Sequence, residues 1–299
     1  MKLPGMGNRH DHQNHANFVC YLLALVIGGG ANNVFAAAGT GSDNPQDTGN
    51  PQDQVITAAS NESGSSWSLG IGVAVTDPGY IGVNRQVTPL PLIWYHNGRF
   101  FAAGASVGYL LSNDKHYAIS ILAKPRLNRL SASESPQLVG IQRREWSIDG
   151  GGRLDLFGAW GRFSTSVFTD LLNRYKGTEA DVQYSYPIHM TGWTLSPGIG
   201  IAWENSPLTD YYYGVSASEA IPSRPAYTPG RTTNPFAQLG LFVPLDWHWQ
   251  FQGGLQYLHF ASAIQNSPIV DRSNSLTLFL AVSYKFKSHS TTLAYKARG

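Results

Sequence analysis

Cysteine is almost missing: Cys20 is the single one in 299 residues. A lone thiol excludes a disulfide framework and a paired-cysteine redox or zinc site. Charge is also scarce, since Asp, Glu, Lys and Arg make up 13% of the chain, about half of the roughly 25% usual in soluble domains. That deficit fits an ordinary cytosolic enzyme poorly, and a formal net charge of +2 gives no electrostatic case for nucleic acid. Long apolar runs are missing too. No stretch approaches the roughly 18 to 20 residues of a spanning helix, which excludes helical membrane spans. The chain is instead rich in glycine (32), tyrosine (15) and tryptophan (8). Apolar residues spread thinly among glycines and aromatics are how a β-sheet membrane protein carries its hydrophobicity.

Three segments read as lying outside the fold. Residues 1–38 form a signal peptide: Lys2 and Arg9 precede an apolar core from Phe18 to Ile27, with small residues at Ala36 to Ala38 for cleavage. The ligand-like cluster His10-Asp11-His12 with His15 lies upstream of that core and leaves with it, as does Cys20. No metal or cofactor is therefore expected. Residues 39–66, where Asn44-Pro45-Gln46-Asp47 recurs as Asn50-Pro51-Gln52-Asp53, have too little apolar surface to offset ordering entropy and read as a disordered leader. Residues 287–299 are a polar, basic tail.

Between them, residues 67–286 alternate with period two. Trp67, Leu69, Ile71, Val73 and Val75 share one face of an extended segment, and Ser68, Gly70, Gly72, Ala74 and Thr76 share the other. The cleanest copy is Leu276, Leu278, Leu280, Val282, Tyr284 and Phe286. With turn signals such as Asn97-Gly98 and Thr191-Gly192, the pattern predicts strands at 67–76, 87–97, 99–111, 116–127, 145–157, 161–172, 177–189, 193–203, 234–245, 249–260 and 275–286. Bacterial barrels have an even number of strands, so a twelfth is sought within 210–220. The expected fold is all-β, an antiparallel transmembrane barrel of about 12 strands, with 10 as the alternative. A soluble β-sandwich would alternate as well. Strands near ten residues, aromatics at strand ends (Trp94, Tyr95, Trp203, Trp249, Tyr284, Phe286) and the need for an edgeless sheet in lipid favour the barrel, surrounded by outer-membrane lipid.

Pro78-Gly79-Tyr80-Ile81-Gly82, Pro89-Leu90-Pro91-Leu92-Ile93, Tyr212-Tyr213-Gly214-Val215, Tyr227-Thr228-Pro229-Gly230, Ser267-Pro268-Ile269-Val270 and Tyr284-Lys285-Phe286 occur in an order and spacing that resembles the MipA/OmpV family of outer-membrane proteins. The resemblance covers roughly Trp67 to Phe286. It implies a Gram-negative outer-membrane location and, in the family's namesake, a scaffold joining a murein lytic transglycosylase to a penicillin-binding murein synthase. Other members look like adhesins. It also implies an assembly signal at Tyr284 and Phe286, which family chains carry at their very end, whereas here Lys287 to Gly299 follow.

The search for chemistry yields little. His259 with Ser262 and His189 with Asp181 are the nearest to a base–nucleophile or base–carboxylate pair, yet residues three apart on a strand face opposite sides. Gly150-Gly151-Gly152 lacks the following Lys and helix of a phosphate loop. The chain therefore reads as non-catalytic. Candidate lumen charges are Asp149, Arg153 and Asp155, inward on one strand, in a structural role, as a polar pore lining or as a docking surface for a partner. Tyr211, Tyr212, Tyr213 and Gly214 are a candidate partner contact or plug, since tyrosine is both a girdle residue and a frequent interface anchor. The long stretch from Glu204 to Thr233 is expected to be a partly ordered loop with one short strand at Tyr211 to Ala217, folding over a barrel mouth or into the lumen. The functional readings are an envelope scaffold or adhesin and, as the alternative, a narrow passive pore for small solutes.

Overall fold

A computed structural model describes residues 66–286 of the chain. The signal, leader and tail readings, with the His10 cluster and Cys20, lie outside the described residues. The strands are β1 Ser66–Asp77, β2 Gln86–Asn97, β3 Phe100–Gly104, β4 Ser106–Asn113, β5 Tyr117–Arg126, β6 Ser147–Gly158, β7 Gly161–Asp170, β8 Thr178–Ser185, β9 Ile188–Met190, β10 Trp193–Glu204, β11 Thr232–Pro244, β12 Trp249–His259 and β13 Asn274–Phe286. Each pairs antiparallel with its neighbour; β1 pairs with β13 and β10 with β11, so the sheet closes on itself. β8 and β9 both pair with β10 and are one crossing interrupted at Tyr186-Pro187, which makes twelve crossings in the closed barrel. Pro187 has no amide to donate and breaks the ladder there.

The twelfth strand is not at 210–220. It comes from the segment 99–111, which turns back on itself at Gly104-Ala105 to give β3 and β4. Gly104 carries φ +65°, the left-handed conformation that a two-residue hairpin turn requires. Residues Ser206–Tyr213 form a helix, α1, in place of the expected short strand. Asn205 caps it by accepting from the Leu208 amide, a proline sits in the first turn, and the Gly214 amide closes it on the Asp210 carbonyl. Beyond it, Val215 bridges Tyr227. A second short helix, α2, spans Ser262–Gln265.

The period of two sorts the side chains as a membrane barrel needs. On β13, Leu276, Leu278 and Leu280 face outward while Thr277, Phe279 and Ala281 are buried inside. Trp67, Trp249, Tyr284 and Phe286 form a girdle at the end where β1 starts and β13 finishes, with Trp67 stacked on Phe286 at 3.9 Å between ring centroids. Trp146, Trp203 and Tyr257, all outward, ring the other end. Short turns join strands at the Trp67–Phe286 end, and the long connections 78–85, 127–146, 171–177, 205–231 and 260–273 all gather at the opposite mouth. No described helix is long and apolar enough to cross a membrane.

Two interiors result. The inner face of β13, β1 and β2 is apolar, with Ala74, Leu90, Leu92, Trp94, Phe279 and Ala281 packed together. Gly70 makes room for it: a Cβ there would lie 2.8 Å from the Trp94 ring. The inner face of β5 to β8 carries buried charge.

Candidate functional site

The long connections form a packed cap over one mouth. Its core unites Tyr80, Leu130, Leu138, Ile141, Tyr175, Leu208, Tyr212, Tyr213, Phe260, Ile264 and Ile269, drawn from all five long connections. α1 is the centre. The Tyr211 hydroxyl accepts from the Glu145 amide at 2.9 Å, and the Tyr212 hydroxyl donates to the Glu145 carbonyl at 3.2 Å. The Tyr80 hydroxyl donates to the Tyr212 carbonyl (3.3 Å), and Ser267 Oγ donates to the Tyr213 carbonyl (2.6 Å). The Tyr213 ring packs at 5.5 Å on Phe260 and at 5.7 Å on Tyr80. Burial pushes the Tyr80, Tyr212 and Tyr213 hydroxyls far above the ordinary phenol range, so all three stay neutral and those of Tyr80 and Tyr212 donate.

Tyr212 is fully buried and Tyr213 is 2% exposed. Neither offers a surface to a partner in this conformation; both lie in the core of the cap. They are also not girdle residues, because they lie inside the cap and not on the lipid face. Gly214 contributes its carbonyl, which accepts from Arg144 Nη2 at 3.3 Å.

Beside α1, Glu219 ties the loops electrostatically. Arg144 reaches it at 2.9 Å, and the backbone amides of Ser216 and Gln142 donate to it at 2.8 and 2.7 Å. Burial alone would raise its carboxyl, but these hydrogen bonds outweigh it and hold the group at about 2. Arg224 then staples the 127–146 connection, donating to the carbonyls of Gln137 (2.8 Å) and Val139 (3.0 Å).

Below the cap, ion pairs line one wall of the lumen. Arg126 on β5 meets Asp149 on β6 at 2.8 Å and Glu179 on β8 at 3.0 Å, and Lys124 meets Glu179 at 3.4 Å. Tyr175, hanging from the cap, donates to Asp149 and lies 5.1 Å beneath the Arg126 guanidinium, so cap and lumen are one network. Asp155 pairs with Arg162 at 2.8 Å. Arg153 is buried inside the same wall, and its Nε finds no hydrogen-bond partner among the described residues. Thus Asp149, Arg153 and Asp155 all face the lumen, as the alternation requires. Lys124, Arg126 and Glu179 went unremarked in the sequence, although Lys124 and Arg126 stand two apart on the polar face of a predicted strand.

The catalytic candidates are not brought together. His189 pairs opposite Thr194 and Asp181 opposite Ala202, eight residues apart along β10. His259 closes β12 facing outward, while Ser262 starts α2. Among the described residues no group of three His, Cys, Asp or Glu is arranged to hold a metal.

A closed antiparallel barrel with an apolar, aromatic-girdled belt and a charged lumen is a transmembrane barrel of the outer-membrane class. Its sequence places it more narrowly. The model of the family described as MltA-interacting protein MipA matches residues 69–286, and the chain belongs to that family. The MltA-interacting protein of Escherichia coli (strain K12) is 29% identical, covering 74% of this chain and 90% of that protein. Outer membrane protein OmpV of Vibrio cholerae is 31% identical over 49% of this chain and 57% of that protein. These relatives are named as interacting or outer-membrane proteins and not as enzymes, and they make this chain a protein of the outer membrane. Among solved structures, the NanC porin aligns with a TM-score of 0.40 at 9% identity, covering 73% of this chain and 100% of that one.

Proposed function

We propose that this barrel is a non-catalytic scaffold of the cell envelope, docking a murein lytic transglycosylase on its periplasmic end, with a penicillin-binding murein synthase as the second client. The observation that carries this reading is the packed mouth. A core around α1 roofing the lumen, with the Arg126 network along one wall beneath it, favours the barrel's outer surfaces over its interior as the place of work. The E. coli relative, named for its interaction with MltA, supplies the class of client.

Barrels of this class keep short turns in the periplasm and long loops outside. The capped mouth therefore faces out, and murein enzymes meet the five short turns at 97–100, 113–117, 158–161, 190–193 and 244–249. This moves docking away from Tyr211, Tyr212 and Tyr213 to the opposite end of the molecule.

The test is binding of a purified lytic transglycosylase to the barrel in nanodiscs. Saturable binding that survives Tyr213→Ala but is lost when the 244–249 and 190–193 turns become Gly-Ser loops is expected. Binding that instead follows the cap, or is undetectable, would overturn the reading; steady ionic conductance with no binding would put the narrow pore in its place.

A further inference from the structure

We propose that the outer rim of the capped mouth, where β6 begins, is a binding surface for the phosphate group of an outer-leaflet glycolipid, held by Arg129, Arg143, Arg174 and Lys176. This goes beyond the scaffold reading and shares only its orientation, with the capped mouth facing out.

Two long connections build the rim. Leu130 and Arg144 exchange both backbone hydrogen bonds, at 3.1 and 2.8 Å, in an antiparallel bridge. Residues paired across such a bridge point to one side and their neighbours to the other. Leu130 and Arg144 are both buried in the cap. Arg129, Arg143 and Glu145 therefore turn to the outer side, where both arginines are exposed. Arg174 reaches the same place from the 171–177 connection and pairs with Glu145 at 2.6 Å. This side of the rim thus carries three arginines against one carboxylate.

The 171–177 connection holds its cations in place. The Asp170 carboxylate accepts from the amides of Leu172 (3.0 Å), Tyr175 (2.7 Å) and Lys176 (2.9 Å). Lys176 sits at φ +54°, a left-handed conformation that glycine adopts at less cost, and its side chain is exposed. The connections 127–146 and 171–177 together hold five basic residues and two acidic ones. Arg129, Arg143 and Lys176 make no side-chain hydrogen bond or ion pair among the described residues.

Beneath the cations the rim is apolar. Trp146 is 52% exposed, and Leu171 and Leu172 are 54% and 41% exposed. The Leu171 amide donates to the Ile148 carbonyl at 2.8 Å, and its side chain covers Gly150 on the lipid face, where a Cβ would stand 2.7 Å from Leu171 Cδ1. At about 3.3 Å per residue, Arg143 lies no more than roughly 10 Å past Trp146. The cations therefore stand at headgroup depth above a floor that faces hydrocarbon. A phosphate joined to acyl chains satisfies both layers. The arginine fork takes phosphate oxygens two at a time, and each cation near an anionic membrane surface is worth about fivefold in binding.

The probe is bisphosphorylated lipid A, titrated into the full-length protein in neutral detergent micelles, with binding read by native mass spectrometry. Saturable binding at least about tenfold tighter than that of the dephosphorylated form is expected. Arg129→Gln with Arg143→Gln weakens it about 25-fold, while Arg99→Gln with Lys115→Gln, at the opposite mouth, leaves it within about twofold. Each variant is read in protein that keeps its heat-modifiable gel shift; Lys176→Gln, with a loss of about fivefold, serves if the double variant does not assemble. Equal affinity for the two lipid forms, or equal losses at the two mouths, would overturn the site. Orientation has its own readout: a membrane-impermeant maleimide on intact cells should label Asn173→Cys. Protection there, with lipid A binding intact in micelles, would overturn the outer-leaflet source and the scaffold's orientation together, whereas labelling without lipid A binding would overturn this surface alone.

Discussion

Replacing Leu280 by arginine puts the reading of the lipid face under the sharpest strain. Leu280 sits between Val73 of β1 and Gly253 of β12, midway along β13, and 40% of it faces outward. An arginine at the middle of the bilayer costs roughly 2 to 4 kcal/mol on the lipid face of a barrel. At about 1.4 kcal/mol per decade, the folded-to-unfolded ratio falls roughly 30- to 700-fold. Leu245, 58% exposed in the turn after β11, gives a depth control, because the same change at the interface costs only about 0 to 1 kcal/mol. Ala281 is not the neutral lumen control that its polar-face position promises. It is 4% exposed and packed in the cluster with Leu92 and Phe279, so an arginine there both overpacks the interior, by about 1 to 3 kcal/mol, and buries a charge among apolar side chains, which adds to that cost. The assay is urea unfolding of the barrel in phospholipid vesicles, followed by tryptophan fluorescence and the heat-modifiable gel band. Equal penalties at Leu280 and Leu245 would refute the assignment of outward face and depth.

Three further outcomes are expected. Asp149→Asn removes the charge that answers Arg126 and should destabilise the barrel by about 3 kcal/mol in the same urea assay, the low end for breaking a buried pair because Asn still accepts hydrogen bonds. Glu219 is held at about 2, below its ordinary value of 4.5, so its contribution is complete above pH 4.5 and fades as the pH falls to about 2. Protection of the Ser216 and Gln142 amides, taken as exchange relative to the intrinsic rate at each pH, should fall across that window as the pH is lowered and stay constant between pH 6 and 8. Tyr213→Ala leaves a cavity beside Phe260 and Tyr80 costing about 3 to 5 kcal/mol, which hydrogen exchange should localise to α1 and Ile264–Ile269 while the heat-modifiable shift persists.

The barrel was legible because membrane strands obey one rule along their whole length. Leu276 to Phe286 alternates without a fault, and its predicted span of 275–286 differs from the observed Asn274–Phe286 by one residue. The hairpin in 99–111 stayed hidden because its turn residues, Gly104 and Ala105, are small, like their neighbours, and do not interrupt the visual alternation. Lys124 and Arg126 were readable by the same parity that exposed Asp149, Arg153 and Asp155. The cap was not. Tyr80, Tyr175, Tyr212 and Phe260 come from separate connections, and only the closing of the barrel brings their strand ends to one mouth. Three adjacent tyrosines look like a girdle or an exposed contact in sequence; the cap of Asn205, the proline at the first turn and Gly214 wind them into α1 instead.

The central claim is that the mouth is sealed and the barrel acts through its surface. Single-channel recording of the purified full-length protein in planar bilayers tests it most directly. The packed cap and the Arg126 ion pairs beneath it lead to electrical silence at moderate voltage. Steady, reproducible open-channel steps from the intact protein would contradict the claim and make the barrel a pore.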